Sequence, residues 1–142
     1  MLLTQDILLI IHFAGLMMGA GGGLGSTVAA GYAARLPPEQ ASVVRGLAPA
    51  LARLSTVGLM LLLVTGFGLI AVKYGGFSGM PLTFWIKMVF VATLTIAAVL
   101  IEMTHAQVKA GNTAAAARLP RLGPIAGLSA FLATILAALT FH

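Results

Sequence analysis

Four long apolar runs, separated by three short polar breaks, are the feature that most constrains how this chain can fold. Each run has about 20 residues or more, which is enough for an α-helix to cross the hydrocarbon layer of a bilayer. Lipid offers no hydrogen-bond partner to exposed backbone, so such segments are expected to be helical. The sequence therefore predicts an all-α, polytopic membrane protein whose four transmembrane helices form an antiparallel bundle. The runs cover residues 7–34, 47–72, 82–101 and 122–141.

The composition agrees with lipid as the surrounding solvent. Of 142 residues, 60% are hydrophobic and only 8% are charged, and the mean hydropathy is +1.07. The chain has no cysteine, which excludes disulfides, iron–sulfur clusters and thiolate metal sites. This length accommodates one four-helix unit, so we expect a single transmembrane domain over residues 1–142, with helices at approximately 5–35, 38–73, 81–110 and 122–141.

The basic residues predict the orientation in the membrane. A net charge of +5 would suggest nucleic acid as the partner of a soluble protein, but here the eight lysines and arginines lie near the ends of the runs. Only Lys73 and Lys87 lie on the side of the second break. The positive-inside rule therefore predicts that both termini face away from the cytoplasm, with no nucleic-acid partner. The other six are Arg35, Arg45, Arg53, Lys109, Arg118 and Arg121.

The first apolar run has the length of a membrane span rather than of a signal peptide. No basic segment precedes it, and its 28 residues from Ile7 to Ala34 exceed the apolar core of a secretory signal. We expect it to be retained as a helix of an integral protein in a bacterial inner membrane.

One face of the first helix carries a histidine followed by small residues. At helical spacing, His12, Gly15, Gly19 and Gly23 fall on one side. Small residues at every fourth position, the GxxxG pattern, let membrane helices approach closely, which would make His12 a buried histidine beside another helix or a partner chain. The same face could instead admit a flat macrocycle, with His12 as the axial ligand of haem iron. Both interpretations stay open, and the first includes a homo-oligomer or a membrane partner.

The rise per residue identifies the side chains at the depth of His12. Counting inward from the same membrane face places Thr65, Met88 and Thr134 in its layer, with Lys87 about one turn nearer the surface. An ionisable residue inside a membrane favours a functional role, so Lys87 belongs with the candidate cofactor site. It could also extend its ammonium to the interface.

Glu102 and His105 form a second cluster, near the other membrane face. Their Glu-x-x-His spacing occurs in di-iron bundles, but the remaining acids, Asp6 and Glu39, cannot reach the core. We therefore expect a structural ion pair in which Glu102 meets Arg45 or Arg53, with His105 beside it. His105 could also ligate a metal or the edge of a haem. No carboxylate lies at mid-membrane, which argues against a proton-driven transporter.

Three segments resemble the HemJ-type protoporphyrinogen oxidases and the related CopD-like four-helix membrane proteins. They are "IHFAGLMMGAGGGLGS" in the first run, "LVTGFGLIAVKYGG" at the end of the second and "FWIKMVFVATL" at the start of the third. The resemblance implies b-type haem on His12, Lys87 as the cation for propionate or substrate carboxylates, and porphyrinogen oxidation. The chain departs from that family at Ala97, where the family has a further histidine.

These observations favour a haem- or porphyrin-binding redox protein of the membrane, an oxidoreductase whose catalytic residues the sequence does not identify. The alternative is a membrane component without a cofactor, such as an accessory or assembly subunit that packs through glycine-rich helix faces. A small-solute transporter is the third possibility. The lipid bilayer is a partner in every case.

Overall fold

A computed structural model describes residues 2–140 of the chain, with the side chain of Leu2 left out. It is 88% helical, which confirms the predicted all-α class. Within the described residues there are five α-helices and one 3-10 helix between α4 and α5. The α-helices are α1 (Leu2–Ala33), α2 (Pro38–Arg45), α3 (Ala48–Lys73), α4 (Leu82–Lys109) and α5 (Leu119–Thr140), and the 3-10 helix spans Thr113–Arg118.

The helix bounds differ from the predicted ones where proline and glycine occur. The predicted helix 38–73 is divided at Gly46 and Leu47 into α2 and α3, and Pro49 lies in the first turn of α3. A proline there costs no hydrogen bond because the first turn has no partner for its N–H. The last helix begins at Leu119 rather than at 122, with Pro124 inside its second turn. Its predicted end at residue 141 lies outside the described residues.

The helices pack mainly as two antiparallel pairs. α1 packs against α3, and α4 packs against α5, while contacts between the pairs are fewer. α2 lies against α1, and the 3-10 helix lies against α4. At one end of the second pair the hydroxyl of Thr140 donates to that of Thr83 over 3.1 Å. The short helices and the 34–47 and 110–118 segments lie at one end of the molecule, and the 74–81 loop lies at the other.

The outer surface of the helices is apolar along their whole length. Leu3, Met17 and Leu139 have 77%, 76% and 67% of their surface exposed, in the middle as well as at the ends of the helices. Four helical segments are long and apolar enough to cross a membrane. A surface of this kind in water would be an aggregation hazard, whereas in lipid it is the favourable outer layer. The protein is therefore an integral membrane protein.

An aromatic cluster closes the end of the molecule at the 74–81 loop. The ring of Phe77 lies 6.3 Å from that of Phe67, 6.2 Å from that of Phe84 and 6.3 Å from that of Trp85, between centroids. Phe84 is fully buried. Gly75, Gly76 and Gly79 have positive φ, which permits the tight turns that bring Phe77 back over the helices. The loop thus ties α3 to α4 at a level typical of interfacial aromatic residues.

The orientation can be tested at two exposed serines at opposite ends. Ser42 lies in α2 and Ser78 in the loop between α3 and α4. Six of the eight basic residues lie on the Ser42 side, so we expect that side to be cytoplasmic. In intact cells, a membrane-impermeant thiol reagent should label Ser78→Cys and spare Ser42→Cys. The chain has no native thiol to interfere. Reversed labelling would overturn this orientation.

Candidate functional site on the seam between α1 and α3

The backbones of α1 and α3 touch along a line of glycines. A Cβ atom added to Gly15 would lie 2.9 Å from the carbonyl oxygen of Gly58, and one added to Gly22 would lie 2.6 Å from the carbonyl oxygen of Leu51. A Cβ on Gly58 would collide with the backbone nitrogen of Gly19. Only glycine fits at these positions. The small face predicted on the first helix is therefore filled from within the chain, by α3.

We call this contact the glycine seam, and it consists of Gly15, Gly19 and Gly22 on α1 against Ser55 and Gly58 on α3. A hydrogen bond between the two helices stabilises it further. The hydroxyl of Ser55 donates to the carbonyl oxygen of Gly19 over 2.9 Å. Such bonds between helices add to close packing in lipid, where water does not compete.

The register of the seam continues towards the N-terminus of α1. The side-chain amide of Gln5 donates to the carbonyl oxygen of Val72 over 3.5 Å, and a Cβ on Gly68 would lie 3.4 Å from Cδ2 of Leu8. As the residue number rises along α1, the number of its contact residue on α3 falls by a similar amount. This is the pattern expected of two antiparallel helices that keep one register. His12 falls between these contacts and the glycine seam, so its position is set from both sides.

His12 is bound to α3 by its side chain. Its Nδ1 lies 2.8 Å from Oγ1 of Thr65, which is buried. The Thr65 hydroxyl has one proton, and it donates that proton to the carbonyl oxygen of Leu61 over 2.5 Å. We therefore assign the proton of the imidazole to Nδ1, which donates to Thr65 Oγ1. The second nitrogen, Nε2, then carries a lone pair. The sequence expectation that Thr65 lies at the depth of His12 agrees with this geometry.

Gly66 of α3 lies beside the imidazole. A Cβ on Gly66 would be 3.5 Å from Cε1 of His12, an ordinary van der Waals distance. Lys87 lies in the second turn of α4. Its Nζ also lies over the ring of buried Phe84, 5.3 Å from the centroid, in a cation–π contact. Lys87 is half-buried, so its ammonium group is held inside the membrane span.

The remaining residues predicted for this layer differ in their placement. Met88 is half-buried on α4 next to Lys87. Thr134 is exposed, and its hydroxyl donates to the carbonyl oxygen of Ala130 in its own helix over 2.9 Å. Gly23 lies past the closest part of the seam, and a Cβ there would meet only Oγ of Ser55, at 3.7 Å. The structure thus brings His12 and Thr65 together and leaves Thr134 apart from them.

Glu102 has a partner other than the one expected. The hydroxyl of Thr56 on α3 donates to Oε1 of Glu102 over 2.9 Å. Within residues 2–140 neither Arg45 nor Arg53 forms an ion pair with it, and both arginines are exposed. The predicted ion-pair cluster is therefore not formed, and His105 is half-buried without joining one. Thr56, rather than Arg53, lies on the face of α3 that meets α4.

Glu102 lines a cavity of about 270 Å³ between α3 and α4. The wall on α3 includes Thr56 and Met60, and the wall on α4 includes Thr95 and Met103. Contacts between these helices are sparse, so the Thr56–Glu102 hydrogen bond is a main polar link between the two helix pairs.

We expect Thr56→Val to lower the free energy of unfolding by about 1.5–3 kcal/mol, the usual range for a hydrogen bond to a charged group. Glu102→Gln should have a smaller effect because its amide oxygen can still accept from Thr56. Thermal unfolding in detergent, followed by circular dichroism, measures both. Thr134→Val is the matched control, since that hydroxyl is exposed and bonds only to its own helix. Equal effects at Thr56 and Thr134 would mean that the Thr56–Glu102 bond does not join the helices.

For several residues of this site, the spacing of small residues in the sequence gives a weak indication of their role. Gly58 and Ser55 lie three residues apart on the second apolar run, and Gly22 lies in a run of three glycines. Small residues at i and i+3 on α3 match the small face of α1, and this complementarity is the one pattern that could have identified the seam. Thr56 gives no signal, because a threonine in an apolar helix ordinarily bonds to its own backbone.

Comparisons with protein-family models, with curated proteins and with solved structures find no significant match to this chain.

Proposed function

We propose that this protein is a b-type haem-binding redox protein of the membrane and that His12 is an axial ligand of the haem iron. The single observation that carries the proposal is the bond network of His12. Its Nδ1 is held by Thr65, so the lone pair of Nε2 is left for a metal. Histidine ligands in metalloproteins ordinarily donate their other ring N–H to a fixed acceptor, which sets the tautomer and the orientation of the ring. Thr65 meets this requirement.

The residues around His12 fit a haem in charge as well as in ligand type. Haem carries two propionate groups, and Lys87 supplies a half-buried cation within the membrane span. Leaving a carboxylate without a cation in that environment would be costly. The resemblance at "FWIKMVFVATL", which contains Lys87, points to the same role.

The predicted role of the glycines changes in this proposal. Gly15 and Gly19 are closed by α3 and leave no room for a ring on that face. They act indirectly, because close approach of the two backbones brings His12 within hydrogen-bond distance of Thr65. Gly66 is the glycine beside the imidazole itself, since a Cβ there would lie 3.5 Å from Cε1 of His12.

Bound haem would supply an iron that takes up and releases one electron. His12 would hold the iron, Thr65 would orient His12, and Lys87 would neutralise a carboxylate of the porphyrin. Oxidation of a porphyrinogen is the activity that the HemJ-type resemblance implies. We place the protein in a bacterial inner membrane, in line with its helical spans and with basic residues gathered at one end.

An absorption spectrum of the purified protein tests this proposal directly. The protein should be expressed with ample haem supply, purified in detergent and measured before and after reduction. We expect a Soret band and, in the reduced-minus-oxidised spectrum, an α band of b-type haem. A colourless preparation without metal would overturn the proposal.

One observation favours the second candidate, a membrane component without a cofactor that binds a partner through glycine faces. Gly123 and Gly127 on α5 have GxxxG spacing, and a Cβ on either would meet nothing within 4 Å. A colourless protein whose oligomeric state in detergent changes with Gly127→Leu would support this function in place of the redox one.

A further inference from the structure

A second cavity, the basic groove (Leu100, Met103, Gln107, Arg118, Arg121 and Leu122), lies at the end of the molecule opposite the aromatic cluster. It has a volume of about 510 Å³, within the range of about 300–1,000 Å³ that is typical of ligand pockets. Its walls come from the end of α4, the 3-10 helix and the start of α5. Neither His12 nor Glu102 lines it, so it is separate from the candidate haem site.

The groove is divided between an apolar part and a charged rim. Leu100 and Met103 on α4 and Leu122 on α5 make the apolar part, which continues onto helix faces that meet lipid. Arg118 and Arg121 make the rim, and both are exposed. In the described chain, neither arginine has an acidic side chain within ion-pair distance, and the lining contains no aspartate or glutamate. The rim therefore carries two uncompensated positive charges.

The position of this rim coincides with the membrane surface. Arg118 and Arg121 immediately precede the last apolar run, at the level where the headgroups of a bilayer lie. Guanidinium groups bind phosphate oxygens through two parallel hydrogen bonds. A ligand that fits both parts of the groove must combine an anionic phosphate with an apolar chain, and the surrounding bilayer supplies such molecules.

We propose that the basic groove binds the headgroup of an anionic phospholipid. The phosphodiester lies between Arg118 and Arg121, and an acyl chain lies along Leu100, Met103 and Leu122. Basic pockets between helices at a membrane surface are a recurrent form of lipid-specific site. This inference is independent of whether the protein binds haem.

Native mass spectrometry of the intact protein in detergent tests the proposal. The probes are phosphatidylglycerol and phosphatidylcholine with identical acyl chains, titrated separately. Both lipids carry the phosphodiester, but the choline cation makes the second net neutral and is repelled by the two arginines, so we expect the first to bind about 10- to 30-fold more tightly. Arg118→Gln combined with Arg121→Gln should bring the two lipids to within about twofold, because the rim then has no charge.

A matched control removes equal charge outside the groove. Arg35→Gln combined with Arg45→Gln lies at the same end of the molecule, and we expect it to leave the lipid preference unchanged. Ala117 also lines the groove. Ala117→Trp fills the groove while keeping both arginines and should abolish the preference, so it serves as a second test if the double arginine variant does not fold. Circular dichroism verifies the folding of each variant.

Three results would overturn the proposal. The first is equal binding of the two lipids to the wild-type protein. The second is an equal loss in the Arg35 and Arg45 control, which would indicate general surface charge. The third is displacement of phosphatidylglycerol by inorganic phosphate at similar concentration, which would identify a site for a free anion instead of a lipid.

Discussion

We expect Gly58→Ala to be the most damaging single substitution that adds only one carbon atom to this protein. The new Cβ would collide with the backbone nitrogen of Gly19 and lie 2.6 Å from the carbonyl oxygen of Gly15. Backbone atoms cannot rotate away as a side chain can, so α1 and α3 must separate. We expect a loss of about 2–4 kcal/mol in the free energy of unfolding, at or above the usual range for overpacking. The thermal midpoint in detergent should fall by on the order of 10 °C.

The chain provides a matched control for this substitution. Gly21 and Gly31 lie in α1, and a Cβ on either would meet nothing within 4 Å. Since alanine favours a helix over glycine by about 0.5–1 kcal/mol, Gly21→Ala and Gly31→Ala should be neutral or slightly stabilising. The free energy of unfolding should therefore fall in Gly58→Ala and stay the same or rise in Gly21→Ala and Gly31→Ala. If Gly58→Ala were as harmless as Gly21→Ala, the backbones of α1 and α3 would not be in contact.

The spans could be predicted from the sequence because they depend on a property of each segment alone. A run of apolar residues from Leu82 onwards has to be helical wherever its neighbours lie, and the bounds of α4, Leu82–Lys109, fall within one residue of the prediction. The depth of Thr65 also followed from the sequence, because the rise per residue of a helix is fixed. These predictions need no knowledge of which helix lies beside which.

The neighbours of each helix could not be predicted, and the errors follow from this. All the spans are similarly apolar, so nothing in their hydropathy indicates that α1 pairs with α3 rather than with α5. The sequence therefore left open whether the face of Gly15 and Gly19 was an empty groove or a helix contact. The expected Glu102–Arg53 pair failed for the same reason. Pairing an acid with a base by charge alone gives no information about which face of α3 meets α4. The residue on that face is Thr56.

If the proposed function holds, we expect His12→Ala to abolish the haem spectrum, because it removes the nitrogen proposed to ligate the iron. Fold stability should change much less, since the protein itself loses one hydrogen bond, worth roughly 1 kcal/mol. Haem content per protein after purification is the measurement, with thermal unfolding in parallel. His105→Ala is the control, because that histidine lies near the opposite membrane face and should leave the spectrum intact. Loss of haem in both variants would contradict His12 as the specific ligand.

Thr65→Val distinguishes ligation by His12 from a purely structural histidine. Valine keeps the shape of threonine but cannot accept from Nδ1, so the imidazole loses the partner that fixes its tautomer, while Nε2 remains. Removing such a partner typically lowers metal affinity by about 10- to 100-fold without removing the ligand. We therefore expect Thr65→Val to retain haem at high supply, to lose it faster to a haem-binding competitor, and to shift the reduction potential. If His12 were only a core residue, Thr65→Val and His12→Ala would cause similar small losses of stability, and neither would alter a spectrum.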